Sequence, residues 1–317
     1  MPPTPRWSTK DPRVCVVGNL NIDLLISGVP ELPAWGQEVL GAHRVQFAAG
    51  QAGYLAQALA ALGTATSVIG VVGDDAEGTF IIDTLTGSGV DTAGIRRIAD
   101  EQTGLTIAVV RPDGERAFVS EVGVSKYLTP RIATEALQRL GASSVVAVVG
   151  LFNTPGVTPD AAHDLLRAAR ARGSRTAFDP GWDPSGWSAK VRRAIMRVLR
   201  DVDLFLPNED EALAITGLDS CEAALHKLAE ACGGTVVVKR GEAGSIALTD
   251  DGRRISTPAR TVAAANAVGA GDVFDAALVA ELLRGEDYPE ALSVGAAAAA
   301  HYVSRSRDRF PTREDLA

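Results

Sequence analysis

The chain has 317 residues, of which 46% are hydrophobic and 22% are charged, proportions close to those of an average globular protein. Its 31 Lys and Arg residues against 39 Asp and Glu residues give a net charge of −8, and the charges are scattered along the chain. The longest apolar stretches, such as residues 145–152, run to about eight residues, far short of the roughly 20 needed to span a membrane. These values exclude a disulfide-stapled miniprotein and a disordered chain, and they argue against a membrane span or a nucleic-acid partner.

The first residues contain several prolines and no apolar stretch of the length found in secretory signals. We expect residues 1–12 to form a disordered N-terminal lead-in. The three cysteines, Cys15, Cys221 and Cys232, lack the CxxC spacing of redox or zinc sites. An odd number of isolated thiols suits a reducing compartment, so the sequence predicts a cytoplasmic protein.

Short apolar runs alternate with segments of helical periodicity along most of the chain. Runs of this length without polar alternation are typical of strands buried on both faces, and they occur at residues 13–18, 144–150, 175–179, 203–206 and 235–239. Apolar residues at helical spacing predict helices at residues 51–62, 74–87 and 159–172. This alternation predicts an α/β fold with a doubly wound, mostly parallel sheet between two layers of helices.

Two stretches break the alternation, at residues 38–47 and 106–121. Both have strand-like patterns without an intervening helix, and Pro112-Asp113-Gly114 makes a hairpin turn within the second. A tight hairpin makes antiparallel neighbours and does not extend a parallel sheet. We therefore predict a small β lid inserted beside the core, with an ordinary edge hairpin as the alternative.

The segment from Asn266 to Phe274 carries the strongest chemical signal. Gly269, Ala270 and Gly271 precede Asp272 at the predicted start of an amphipathic helix. The first turn of a helix has unpaired backbone N–H groups and the positive end of the helix dipole, which together form an anion site. The alternative is that Asp272 merely caps the helix.

Several segments, in the same order along the chain, resemble the motifs of the ribokinase-like (PfkB) sugar and nucleoside kinases. They are residues 17–23, 49–56, 70–78, 206–211, 236–244 and 269–274. The resemblance spans residues 13–313 and implies a single ribokinase-like core: a three-layer, doubly wound, mostly parallel sheet with a small β lid. It implies transfer of the γ-phosphoryl group of ATP to a hydroxyl.

The resemblance also implies roles for individual residues. Asp272 would be the general base, and Gly269, Ala270 and Gly271 would donate backbone N–H groups to the phosphoryl group. Asn208 and Glu211 would position Mg²⁺ through water. The nucleotide would lie along Asn208, Lys239, Gly241 and Gly244. From the residues alone, Asn208 and Glu211 also fit a helix cap, and Lys239 equally fits a solvated charge at a strand end.

The substrate-binding residues implied by the resemblance are Asn21, Asp23, Gly50, Gln51, Tyr54, Phe118 and Asn153. A carboxylate at Asp23 can accept hydrogen bonds from two neighbouring hydroxyls, and the lid strand with Phe118 would cover the pocket. As isolated residues, Asp23 fits a turn acid and Asn153 fits a loop asparagine.

The chain departs from the family pattern at two places. Tyr54 stands where the family most often has an asparagine, which suggests a smaller acceptor, an aromatic aglycone or base, or lost activity. Asn266 and Ala267 stand where the family often has Asp-Thr. The missing carboxylate makes a bound K⁺ doubtful.

Three functional hypotheses follow from the sequence. The leading one is an ATP- and Mg²⁺-dependent carbohydrate kinase, because Asp272 and the three anion-site residues are all present. The second is a nucleoside kinase of the same family, suggested by Tyr54 and by possible aromatic residues of the lid. The third is a non-catalytic sugar-binding relative, suggested by the altered substrate motif. A lid edge that pairs with a second subunit makes a homodimer an option.

Overall fold

The computed structural model describes residues 7, 9–262, 268–305 and 310–316. The strands in chain order are β1 (Arg13–Val17), β2 (Asn21–Ser27), β3 (His43–Ala49), β4 (Ala65–Gly73), β5 (Asp91–Ile98), β6 (Gly104–Val110), β7 (Arg116–Glu121), β8 (Val145–Val149), β9 (Arg175–Asp179), β10 (Leu204–Phe205), β11 (Thr235–Lys239), β12 (Ser245–Leu248) and β13 (Arg254–Thr257). The helices are α1 (Gln51–Ala61), α2 (Ala76–Gly87), α3 (Pro130–Leu140), α4 (Pro159–Ala171), α5 (Ala189–Val198), α6 (Glu209–Thr216), α7 (Cys221–Ala231), α8 (Ala270–Arg284), α9 (Tyr288–Ser304) and α10 (Arg313–Leu316).

The large sheet has the strand order β13-β12-β11-β10-β9-β8-β1-β4-β5. Seven strands of this sheet run parallel to one another, namely β5, β4, β1, β8, β9, β10 and β11. The strands β12 and β13 are added antiparallel at the edge beside β11. The chain leaves β1 toward β4 and β5, then returns to place β8 on the other side of β1. Open α/β sheets bind ligands at the carboxyl ends of their strands beside such a reversal.

Alternate residues of β1 enter different hydrophobic clusters. Val14 and Val16 belong to the cluster that includes α1, α8 and α9, whereas Cys15 and Val17 belong to the cluster that includes α3, α4 and α5. Each predicted apolar run is a strand buried on both faces because helices cover both sides of the sheet. The predicted three-layer α/β fold is therefore confirmed.

A second, four-stranded sheet has the order β3-β2-β6-β7, and we call it the lid sheet. The predicted hairpin at residues 106–121 is confirmed as β6 and β7, which belong to this separate sheet and not to the edge of the large one. The strand predicted within residues 38–47 is displaced along the chain, because it covers His43–Ala49. The sequence-based prediction also missed β2, which pairs with both β3 and β6 at the centre of the lid sheet.

Part of the N-terminal region predicted as a disordered lead-in is ordered in contact with the core. The indole of Trp7 is buried and its Nε1 donates a hydrogen bond to the Tyr288 hydroxyl at 3.1 Å. The backbone N–H of Thr9 donates to the carbonyl of Leu283. Residues 1–6 and 8 lie outside the described residues. Within the described residues, no helix is long and apolar enough to cross a membrane.

Asp75 joins the core to the lid sheet at the start of β6. Its carboxylate caps α2 by accepting from the backbone N–H of Gly78 at 2.7 Å. It also accepts from the backbone N–H and the hydroxyl of Thr103, each at 2.7 Å, and Thr103 immediately precedes β6. Burial raises the pKa of Asp75, but the hydrogen bonds from Thr103 and Gly78 outweigh it and lower the pKa below its usual value.

Replacing Asp75 with alanine should reduce the free energy of unfolding by about 2–3 kcal/mol, because a helix cap and two further hydrogen bonds to a carboxylate are lost. Urea titration at pH 7 measures this change. The loss should begin to shrink as the pH falls below about 4, where Asp75 of the unfolded chain takes up a proton, and should become smallest only below the lower pKa of Asp75 in the folded protein, where the native carboxylate is protonated as well.

The neighbouring Asp74→Ala variant is the control, because Asp74 is exposed and makes one surface ion pair with Arg97 at 3.6 Å. That change should stay within about 0.5 kcal/mol. Equal stability losses for the two variants would show that Asp75 does not tie the lid sheet to the core.

Candidate active site

One cavity of about 1030 Å³ lies between the carboxyl ends of the large sheet and the lid sheet. Every residue that the sequence singled out as catalytic, substrate-binding, nucleotide-binding or metal-binding lines it. They are Asn21, Asp23, Gly50, Gln51, Tyr54, Phe118, Asn153, Asn208, Glu211, Lys239, Gly241, Gly244, Gly269, Ala270, Gly271 and Asp272. The fold brings these distant segments together, while their individual roles stay predictions.

The predicted anion site is the start of α8, which points into the cavity. Gly269 has a left-handed backbone conformation, with φ of 80°, and α8 begins at Ala270. The first N–H groups of a helix have no acceptor within it, so this turn offers donors and a positive dipole end to an anion. Asp272 lies in the same turn with its side chain largely buried. The segment can therefore place a carboxylate beside a bound anion.

The ammonium group of Lys239 is held between two carboxylates. Its Nζ lies 2.8 Å from Oδ2 of Asp179 and 2.7 Å from Oδ2 of Asp275, with 12% of the lysine side chain exposed. It also lies beside Gly271, where a Cβ atom added to the glycine would be 3.5 Å from Nζ. The alternative of a solvated charge at a strand end is therefore wrong, because Lys239 is a paired charge next to the predicted anion site.

Burial and crowding perturb the acids around Lys239. Burial raises the pKa of Asp272 well above its usual range, and the negative charge of Asp179 raises it further; Lys239 and a hydrogen bond from Gln51 oppose these effects. Burial, together with Asp179, also raises the pKa of Glu211 to about 7. For Lys239, burial lowers the pKa, but the carboxylates of Asp179, Asp275 and Glu211 raise it by more and keep the ammonium charged.

Asn208 and Glu211 form a capping box at the start of α6. The Asn208 Oδ1 accepts from the Glu211 N–H at 2.9 Å, and the Glu211 Oε2 accepts from the Asn208 N–H at 2.9 Å. The cap interpretation is therefore confirmed. It does not exclude the metal-binding prediction, because both residues also line the cavity. A carboxylate and an amide oxygen match the oxygen ligands that Mg²⁺ prefers.

The other end of the cavity contains a chain of hydrogen-bonded side chains. Nδ2 of Asn19 donates to Oδ1 of Asn21 at 3.0 Å, and Nδ2 of Asn21 donates to Oδ1 of Asp23 at 2.9 Å. The Tyr54 hydroxyl donates to the other oxygen of Asp23, Oδ2, at 2.7 Å. Asp23 therefore lies within β2 and is not a turn acid. Its two oxygens are oriented by a lid-sheet residue and by a residue of α1.

The remaining predicted substrate residues surround this chain. Gly50 precedes α1 with φ of 84°, and a Cβ there would collide with the backbone of Asn19. Gln51 opens α1, with its Oε1 close to Gly150, which follows β8. Asn153 follows the same strand end and lines the cavity. Phe118 lies on β7 of the lid sheet and is about half exposed.

The sequence-based prediction missed several cavity residues. Asp179 ends β9 and could have been found by the strand-end rule that selected Asn153. Asn19 lies within a family-like motif that indicates no separate role for it. Asp275 had no local signal, since its pairing with Lys239 joins residues 36 positions apart. Thr106 and Ser120 lie opposite each other on β6 and β7, with their hydroxyl oxygens 3.0 Å apart. They were missed because their position in the cavity depends on how β6 and β7 pair in the lid sheet.

The predictions about bound cations stay predictions. Asn266 and Ala267, on which the doubt about K⁺ depends, lie outside the described residues. Among the residues that are described, no three His, Cys, Asp or Glu side chains are grouped to bind a metal ion directly.

Comparison with known proteins agrees with this fold. The model of the pfkB family of carbohydrate kinases matches residues 11–315, so the chain belongs to this family and is a carbohydrate kinase. One relative is an ATP-dependent ribose-1-phosphate kinase of Halopiger xanaduensis, which is 29% identical over 96% of this chain and 97% of the relative. Another is a ribokinase of Haemophilus influenzae, which is 25% identical over 95% of each chain. An Escherichia coli structure named provisionally as ribokinase II, in complex with ATP and Mg²⁺, superposes with a TM-score of 0.82 at 23% identity, covering 96% of this chain and 97% of that one.

The pairing of Lys239 predicts a large stability loss on its removal. Lys239→Met should lower the free energy of unfolding at pH 8 by about 3–5 kcal/mol, because Asp179 and Asp275 stay buried without a counter-charge. At pH 5 the loss should be smaller, because buried carboxylates without the ammonium take up protons more readily. Chemical denaturation at the two pH values measures the difference.

Lys227→Met is the matched control, because Lys227 donates a single hydrogen bond to the Thr216 carbonyl at 2.8 Å on the surface of α7. It should cost about 1 kcal/mol. Adding Asp275→Asn to Lys239→Met should recover part of the loss. If Lys239→Met were no worse than the control at pH 8, the ion pairs would not stabilise the fold.

Proposed function

We propose that this kinase transfers the γ-phosphoryl group of ATP to a hydroxyl of a small, neutral carbohydrate, with Asp272 as the general base. The observation that carries the proposal is the position of Asp272, a buried carboxylate in the first turn of α8 that faces the same cavity as Asp23. A general base can assist in-line phosphoryl transfer only if it lies in the same cavity as the anion site that binds the phosphoryl group and the acceptor hydroxyl. This arrangement meets that requirement.

The nucleotide would occupy the part of the cavity bounded by β11, the loop after β13 and α9. Gly241 and Gly244 have positive φ angles, of 53° and 83°, and leave the backbone accessible at a turn. Small and apolar side chains line this part, namely Ala259, Val262, Ala296, Ala299, Ala300 and Val303. Such walls suit the flat, weakly polar base of ATP. Mg²⁺ bound with ATP would neutralise phosphate charge, with Glu211 and Asn208 as its nearest candidate positioning residues.

The transfer would proceed by displacement at the γ-phosphorus. Asp272 accepts the proton of the acceptor hydroxyl as the new P–O bond forms, the bond to the bridging oxygen breaks, and ADP leaves. The N–H groups of Gly269, Ala270 and Gly271 face the equatorial oxygens, where negative charge accumulates. The raised pKa of Asp272 makes its carboxylate a stronger base than an exposed aspartate.

The chemistry of the acceptor end supports a neutral acceptor. Its described lining includes amides, hydroxyls and a carboxylate, at Asn19, Asn21, Asp23, Thr106, Ser120 and Asn153. The cationic side chains among the described lining residues are Lys239, already paired with two carboxylates, and Arg260, in the loop beside Gly244. A sugar acid or sugar phosphate would need a cation at the acceptor end.

The nucleoside alternative depends on Tyr54 as a surface on which a base could stack. The Tyr54 ring instead lies against Gly269, with ring atoms 3.0–3.3 Å from the position that a Cβ atom would take at that glycine, and the residue is 4% exposed. A buried ring offers no open face to a base. In an assay of ADP release, activity on nucleosides without activity on the matching free sugars would favour this alternative.

Asp272→Asn should lower kcat by about 10³-fold or more while binding of ATP stays within a few-fold of wild type. The substitution keeps the size and polarity of the side chain but cannot accept the proton. ADP release measures turnover, and titration calorimetry with ATP and Mg²⁺ measures nucleotide binding.

The outcome that contradicts the assignment is near-wild-type turnover by the variant, which would show that another group acts as the base. Loss of both turnover and ATP binding would instead indicate a damaged fold. The exposed acid Asp210, replaced by Asn in the same way, is the control and should leave kcat unchanged.

We further propose that two copies associate through the lid sheet. Val45 and Phe118, which lie on the same face of this sheet as Asp23, are 48% and 51% exposed. The strands β3 and β7 form the two edges of this sheet, where a further strand could be added. A second lid sheet would cover this apolar surface and the mouth of the cavity.

Val45→Glu should convert a dimer to a monomer, because the carboxylate would be buried against the partner without a counter-charge. Size-exclusion chromatography with light scattering measures the mass. Val119→Glu is the control: Val119 is exposed on the opposite face of β7, so that change should leave the mass unaltered. A monomeric wild-type protein would contradict the proposal.

A further inference from the structure

The described lining of the cavity contains four aromatic side chains, and two of them are open. Tyr54 and Phe274 are 4% and 6% exposed, so packing covers almost all of each ring. Trp182 and Phe118 also line the cavity, and each is 51% exposed. Phe118 belongs to the lid sheet, whereas Trp182 lies in the loop that follows β9 of the large sheet. Trp182 is therefore the open aromatic surface on the core side of the described lining.

The loop after β9 places Trp182 beside the proposed acceptor end of the cavity. Its neighbour Gly181 has a left-handed backbone conformation, with φ of 69°. A Cβ atom at Gly181 would lie 2.4 Å from Oε1 of Gln51 and 3.6 Å from Cα of Gly150. Gln51 is in turn hydrogen-bonded to Asp272. The backbone that carries Trp182 thus adjoins the residues around the proposed base.

The loop and its tryptophan are held in place by buried groups. Oδ1 of Asp179 accepts from the backbone N–H of Gly181 at 3.0 Å. Farther along, Oδ2 of Asp183, a buried carboxylate, accepts from the backbone N–H of Trp187 at 3.0 Å. The buried indole of Trp187 packs edge to face against that of Trp182, with ring centroids 5.8 Å apart. Because this support exists before a ligand arrives, little side-chain ordering opposes binding.

The groups that share this end of the cavity match a carbohydrate ring. The amides of Asn21 and Asn153 and the carboxylate of Asp23 are hydrogen-bonding partners for hydroxyls. A closed sugar ring also has an apolar C–H face, and the electron-rich face of an indole is a suitable partner for it. An open-chain polyol offers the same kind of hydroxyls without a fixed flat face. An aromatic base would use the indole and leave most of the polar groups unused.

We propose that Trp182 is a specificity-determining residue that stacks on the C–H face of the acceptor, so that the site selects a sugar in its closed-ring form over an open-chain polyol. This inference rests on the proposed function, in which the acceptor is a neutral carbohydrate. Trp182 contributes to the affinity for the acceptor and takes no part in phosphoryl transfer.

The test compares D-ribose, D-glucose and D-fructose with ribitol, D-glucitol and D-mannitol, the polyols that reduction of these sugars yields, and with adenosine. Titration calorimetry with a non-hydrolysable ATP analogue and Mg²⁺ measures acceptor binding, and ADP release measures turnover. We expect at least one sugar to bind wild type about tenfold more tightly than its polyol.

Trp182→Ala should raise the Kd of that sugar about tenfold and reduce its advantage over the polyol by the same factor. The Kd of the ATP analogue should stay within about twofold of wild type. KM for the sugar should rise with its Kd while kcat stays within about twofold, because the stacking contributes equally to the ground state and the transition state.

Intrinsic fluorescence reports whether the indole itself meets the sugar. The chain has four tryptophans, and Trp182→Phe leaves the other three in place. The saturable change in emission that the sugar causes in wild type should be lost in this variant. Trp35→Phe is the matched control, because Trp35 is fully exposed and is not among the described lining residues. It should keep both the emission change and the affinity.

An unchanged Kd of the sugar in Trp182→Ala, or wild-type binding of a polyol as tight as that of its sugar, would overturn the inference. Binding of adenosine that is tighter than that of every sugar and is lost in Trp182→Ala would also overturn it, because the indole would then stack on a base.

The readouts separate this inference from the proposed function. ADP release from a sugar whose Kd does not depend on Trp182 leaves the kinase assignment standing and removes the role of Trp182. Binding of a sugar that depends on Trp182, without ADP release from any sugar, supports the stacking and contradicts the proposed reaction. No binding and no ADP release with any sugar contradict both.

Discussion

The ammonium of Lys239, paired with Asp179 and Asp275, is the interaction on which the site depends. It joins the ends of β11 and β9 to the first turns of α8. Because a buried lysine and two buried carboxylates are stable only together, these three elements have one favourable arrangement. That arrangement sets the start of α8 over the carboxyl edge of the large sheet, which is where the cavity opens.

The same pairing bears on how so acidic a site could bind the proposed anion. Four carboxylates, those of Asp179, Glu211, Asp272 and Asp275, interact with one another around the Lys239 ammonium. Lys239 offsets part of their charge, and the helix start adds the positive end of its dipole beside Gly271. In the proposed function, Glu211 would help to hold a hydrated divalent cation, and the start of α8 would bind the anion.

Local sequence signals predicted the elements well and their partners poorly. Runs such as 145–149 are buried on both faces, so composition alone marks them as strands, and glycines at a helix start mark the predicted anion site at Gly269. The missed strand β2 follows β1 after a few residues, and only its pairing with β3 and β6 shows that it belongs to another sheet. The contacts of Asp275 and Tyr54 likewise join residues distant in sequence, and no local pattern encodes them.

The membership of β2 in the lid sheet changes how the cavity is built. Asp23 is carried by the lid sheet, whereas Tyr54 and Asp272 belong to core helices, so the proposed acceptor-binding carboxylate and the proposed base lie on different layers. Two anchors hold the layers in register: Asp75 binds Thr103 at the start of β6, and Tyr54 binds Asp23 inside the cavity. Because the second anchor is also part of the proposed acceptor site, any displacement of the lid sheet changes the hydrogen bonds of Asp23. In the proposed function, acceptor binding and lid position would therefore depend on the same contact.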